Sequence, residues 1–149
     1  MAVRGKPGDQ FVTLYRGLLG TSSDYMEQRK EKGKRDLGIH WSTDPDVAYN
    51  FAVGNDFGGV PMSGLEEEDP SGVVIAAKVH KRHIIDPDSG EWDDYADAHG
   101  IFDPGHSEQE KTLREGAIVH VQKISNVRQT DKGMEETLVN PKSSRRWRA

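Results

Sequence analysis

At 149 residues the chain can bury one hydrophobic core but is too short for two ordinary domains, so a single domain over 1–149 is expected. With 34% hydrophobic and 30% charged residues and a formal net charge of −5, the composition fits a globular body with long wet loops. The charge argues against a body that tracks nucleic acid by bulk electrostatics, with a local basic patch left open, and the absence of Cys excludes a disulfide framework, a thiolate metal site and a cysteine nucleophile.

Phe11 to Gly17 alternates, with Val12, Leu14 and Arg16 on one face, and reads as a strand stopped by a glycine. Ser22 to Lys34 is polar, with Ser22 or Ser23 as N-cap, and suits a short exposed helix. Gly38 to Thr43 alternates again. Asp44-Pro45-Asp46 then starts a helix: Asp44 as N-cap, Pro45 at the first helical position and Asp46 favourable to the helix dipole. Val47, Ala48, Phe51 and Ala52 make its apolar face, and it should fail near Gly54. The stretch 54–72, GNDFGGVPMSGLEEEDPSG, has neither period, and a loop of that length is often functional.

Gly72 to Val79 is the most hydrophobic run, a central strand expected to continue toward Ile84-Ile85 and to end at Asp86-Pro87-Asp88-Ser89-Gly90. Residues 91–106 are ambiguous: EWDDYADAHG fits a helical turn, with FDPGHS as loop. Glu108 to Leu113, a turn at Arg114-Glu115-Gly116, and Ala117 to Ile124 read as a hairpin, and a last strand is expected around Glu136 to Val139. The basic stretch from Lys142 to Arg148 reads as a frayed, flexible tail over about 141–149. This order predicts an α+β domain on antiparallel or mixed sheets. No apolar run approaches the ~18 residues that span a bilayer and no apolar signal core opens the chain, so no membrane partner is expected and a cytoplasmic location is the default.

Glu108 and Glu110, at i and i+2 of an extended stretch, point to the same side. A solvated strand edge would do the same. Two further features stand at strand ends: Arg16 in LYRG and Ser42-Thr43 in HWSTDP. The histidines offer little as metal ligands, since His80 and His83 at i and i+3 of a strand point to opposite faces, and no metal is expected. Neither G-x-G-x-x-G nor a Walker A motif occurs.

The Arg with its following Gly, the aromatic before Ser-Thr and the E-x-E, in this chain order, resemble the R-S-E class of mono-ADP-ribosyltransferases, the cholera-toxin-like and clostridial binary-toxin-like family. The resemblance runs from about Leu14 to Ile124. Where the family usually has Ser-Thr-Ser, this chain reads Ser42-Thr43-Asp44, and its length implies a minimal catalytic core. The resemblance implies two packed, mainly antiparallel or mixed sheets forming an NAD cleft, with NAD as substrate.

On that resemblance, Arg16 holds the NAD diphosphate, Gly17 pairs its backbone with the carboxamide, and Ser42 orients Glu110, with Thr43 supporting the strand end. Glu110 binds the ribose 2′-hydroxyl beside the oxocarbenium-like centre, and Glu108 meets the incoming nucleophile. Phe51 either stacks on nicotinamide or faces the core, and Phe102 either docks a target or is buried. Loop 53–72 corresponds to the family's mobile loop over the dinucleotide and carries no Arg or Lys. The implied partner of a monomeric enzyme is a protein target modified through arginine, with a nucleic-acid target left open. The alternatives are an NAD glycohydrolase of the same fold and a silent NAD- or ADP-ribose-binding module.

Overall fold

The computed structural model describes residues 10–55, 70–86, 89–98, 110–139 and 145–149. Its elements in chain order are β1 (Phe11–Leu19), α1 (Ser23–Glu31), β2 (His40–Ser42), α2 (Pro45–Ala52), β3 (Ser71–His80), α3 (Gly90–Ala98), β4 (Glu110–Thr112), β5 (Ile118–Thr130), β6 (Gly133–Val139) and β7 (Arg146–Arg148). The strands run in the order β4-β2-β1-β3-β5-β6, with β7 also on β5, and every strand pair is antiparallel. The chain is therefore an α+β fold. The described strands form one hydrogen-bonded sheet, where two packed sheets were expected.

Phase along β5 is kept by a bulge. Ala76 pairs with Lys123 and Ala77 with Val121, so Gln122 is the extra residue. Without it, Val121 and Ile124, three residues apart, would face opposite ways; with it, both join Leu14, Val73, Ile75 and Val79 in the larger core cluster. A smaller cluster of Ala48, Ala52, Val53, Val74 and Val127 fills the other face beneath α2. Cover on both sides explains why β3 reads as a continuous apolar run from Val73 to Ala77.

The α2 helix forms where its sequence signals place it, with Asp44 Oδ1 accepting from Asp46 N at 2.9 Å and Pro45 at the start. Its backbone approaches the sheet at two glycines. A Cβ on Gly17 would overlap the Ala48 carbonyl oxygen, and one on Gly72 would overlap that of Ala52.

Several expectations need correction. β1 does not stop at Gly17; it runs on to Leu19, paired with β3 throughout. β4 does not form a hairpin with β5; it pairs with β2, while Gly116, at φ +81°, donates its N–H to the Ala149 carbonyl. β3 ends at His80, because His80 Nδ1 accepts from Arg82 N and closes a 3₁₀ turn over Lys81–His83, after which Ile84 bridges Leu113. The same turn brings His80 and His83 to 6.3 Å between ring centroids, not to opposite faces. Finally, residues 145–149 of the expected frayed tail are held: β7 pairs with β5, and Trp147 is buried at 2% exposure. The ambiguous stretch after Gly90 is helical as far as Ala98.

Candidate functional site

Strand register builds the site. Tyr15 on β1 lies opposite Ser42 on β2, and Ser42 lies opposite Glu110 on β4. Directly opposed residues of antiparallel strands share a face, so the three side chains form a row on the side of the sheet that α2 covers. Ser42 is buried, and its Oγ accepts from Asp44 N at 3.0 Å. That contact ties the hydroxyl to the start of α2 and leaves its proton to be donated. Among the described residues, no hydrogen bond joins Ser42 and Glu110; Glu110 is half-buried at the first position of β4.

Arg16 leaves β1 from the opposite face, in step with Leu14 and Leu18 of the larger core. It reaches the same site because β1 and β2 share one paired position and part beyond it. The guanidinium fills the gap: Nη1 donates to the His40 carbonyl, and Gly38, at φ +89°, leaves the space that a Cβ would take from the guanidinium. Trp41 Nε1 fixes the Gly38 carbonyl at 2.9 Å. Burial pushes the Arg16 guanidinium below its ordinary pKa, and its buried Nε has no partner among the described residues. The guanidinium also lines a cavity, where a fixed cation would favour an anionic ligand.

Arg16, Gly17, Ser42, Phe51 and Glu110 all line one cavity of about 410 Å³, within the range of small-molecule sites. Thr43 is exposed and is not part of the lining. Gly17 has a packing reason beyond any ligand, the close approach of α2. Phe51 sits on α2, in the wall formed with Val47 and Ala48. Glu108, Phe102, His99, His106 and loop residues 56–69 lie outside the described residues.

The motifs did not point to Tyr15, His40 or Lys111, which also line the cavity. His40 shares its face with Ser42 two residues on, a period-two signal present in the sequence, and its Nε2 lies 3.1 Å from Tyr95 Oη of α3.

No group of three or more His, Cys, Asp or Glu that could hold a metal occurs among the described residues. His80 has both ring nitrogens engaged, with Arg82 N and with Gln10 Oε1 at 2.9 Å. No helix among the described residues is long and apolar enough to cross a membrane.

No protein-family model, curated protein or solved structure matches this chain.

Proposed function

We propose that the chain is a mono-ADP-ribosyltransferase that cleaves NAD at the nicotinamide–ribose bond and transfers ADP-ribose to a target, with protein arginine as the acceptor. The observation that carries the reading is the convergence of a guanidinium, a buried hydroxyl and a carboxylate on one cavity, from Arg16, Ser42 and Glu110, although 94 positions separate the first from the last.

Each group has a physical task. Arg16 lines the cavity and offers planar, charged donors to the diphosphate. Glu110 stabilises the positive charge that grows on the ribose as the C–N bond breaks and nicotinamide leaves with the bonding electron pair. Ser42, held by Asp44 N, turns its proton toward Glu110 and restricts the carboxylate. The acceptor nitrogen then bonds to the anomeric carbon and loses its proton to a base, the role assigned to Glu108. The cavity suits the reactive nicotinamide–ribose end of the dinucleotide. α2 walls it with Phe51 as an aromatic face for the leaving ring.

The test is incubation of the pure protein with labelled NAD and a cell lysate, followed by mass spectrometry of labelled residues and measurement of free nicotinamide. Label on arginine supports transfer. Nicotinamide release without label makes the chain a glycohydrolase, and binding without cleavage makes it a silent module. Glu110→Gln should abolish release while leaving the fold intact; full release in that variant would overturn the assignment.

A further inference from the structure

Outside the cavity, a polar cluster among the described residues links α2 to β5 and β6. Glu136 Oε1 on β6 accepts from Tyr49 Oη at 2.7 Å and from Ser125 Oγ at 2.6 Å, and lies 3.2 Å from Lys123 Nζ. Ser125 is buried at 1% exposure, so its hydroxyl has this carboxylate in place of water. The three donors come from α2 and β5, and the acceptor from β6. Tyr49 is also packed, with Tyr15, against the small cluster beneath α2.

We propose that Glu136 is a positioning residue for the cavity, acting through Tyr49 to hold α2 in place. The helix packs through Ala48, Ala52 and Val53 on Val74 and Val127, and its backbone lies close over Gly17 and Gly72. Apolar contact is non-directional, and the Tyr49 hydroxyl adds a directional bond to β6. The N-terminus of α2 holds Ser42 through Asp44 N, and Val47, Ala48 and Phe51 form the cavity wall. A shift of the helix would therefore move the orienting hydroxyl and the wall together. Glu136 itself stands on β6 and is not part of the cavity lining.

The choice of NAD as ligand rests on the function proposed above; the tether does not. Tyr49→Phe and Glu136→Ala remove it. Glu136→Gln keeps an acceptor oxygen for the two hydroxyls and serves as the conservative rescue. Glu135→Gln is the control, because Glu135 pairs with Arg128 at 2.8 Å from the adjacent position on β6.

Two readouts are needed: hydrogen exchange at the amides of residues 44–53, and NAD affinity with kcat and KM for nicotinamide release. Tyr49→Phe and Glu136→Ala should speed exchange in α2 but not in α1, and should weaken NAD binding by about fivefold, the size of one net hydrogen bond, mainly in KM. Glu136→Gln should recover most of both effects, and Glu135→Gln should change neither.

Unchanged α2 exchange in Tyr49→Phe and Glu136→Ala would overturn the tether. Faster exchange with unchanged NAD affinity would reduce it to a stabilising contact and overturn the positioning role. If the unsubstituted protein neither binds nor cleaves NAD, the functional reading fails by itself, and the exchange arm still decides the tether.

Discussion

Ser42 and Glu110 are opposed residues on β2 and β4, and the Ser42 hydroxyl is held by a backbone N–H two residues further along its own chain. The hydroxyl opposite the carboxylate is thus positioned by the N-cap residue of α2. Ser42→Ala should lower kcat for NAD cleavage on the order of 10- to 100-fold, less than loss of a donor that touches the developing charge. Asp44 N–H would also lose its acceptor, for about 1 kcal/mol of stability. Single-turnover kinetics and denaturant melts of the same samples separate the two effects; unchanged kcat would remove Ser42 from the orienting role.

Arg16→Lys tests the anion-binding role proposed for the guanidinium. A lysine keeps the charge but cannot donate to the His40 carbonyl and a phosphate through one planar fork. NAD affinity should fall on the order of tenfold, read by titration calorimetry. Equal affinity would mean that the guanidinium serves only to fill the gap between β1 and β2.

At Gly17 the expectation concerns packing, not chemistry. An alanine methyl would overlap the Ala48 carbonyl oxygen, so α2 must move off the sheet. Overpacking of this kind costs about 1–3 kcal/mol, and more where backbone is in the way. The urea midpoint of Gly17→Ala should drop accordingly, with cavity function lost in step.

The Glu136 cluster predicts a pH dependence. Burial pushes the Glu136 carboxyl up, but hydrogen bonds from Ser125, Tyr49 and Lys123 outweigh it and hold the group below its ordinary range. A depressed folded pKa means stability present above the unfolded carboxylate value of roughly 4.3 and lost as pH falls through the folded one. Tyr49 is pushed the other way, to about 12, by burial first and then by its bond to Glu136. Its share is full below the unfolded value of roughly 10 and fades as pH rises toward that upper limit. Melting curves of the unsubstituted protein and Tyr49→Phe should therefore differ most at intermediate pH and converge at both extremes. A constant gap across pH would contradict the linkage.

Local chemistry made some parts of this fold readable and left others hidden. The start of α2 was legible in Asp44-Pro45-Asp46, because capping involves neighbours in sequence. β3 was legible from its β-branched run, and β6 lies where a last strand was expected. The partner of β4 was not. Arg114-Glu115-Gly116 looks like a hairpin turn, and nothing within a few residues says that β4 pairs backward with β2 while β5 crosses to β3. The bulge at Gln122 was equally hidden, since it matters only against the partner strand. β7 did leave a trace: Arg146-Trp147-Arg148 is a one-period alternation with the apolar residue inward, masked by the surrounding charge.

The candidate site follows the same division. Arg16, Ser42 and Glu110 each stand out from their near neighbours in sequence, while their convergence on one cavity depends on strand register. The Tyr49–Glu136 contact joins residues 87 positions apart and has no local mark. Gly38, against the Arg16 guanidinium, is likewise visible only once β1 and β2 are side by side.

β7 also constrains the order of assembly. Arg148 N donates to the Arg35 carbonyl at 2.9 Å, Leu37 N donates to the Arg148 carbonyl at 2.6 Å, and Lys30 Nζ lies 4.6 Å from the Trp147 ring centroid. Segments made early are thus closed by one made more than a hundred positions later. On a ribosome, the seam beneath α1 stays unsealed until residue 147 has cleared the exit tunnel. Contacts of such long sequence separation slow folding, so a growing chain would depend on whatever shields that seam in the meantime.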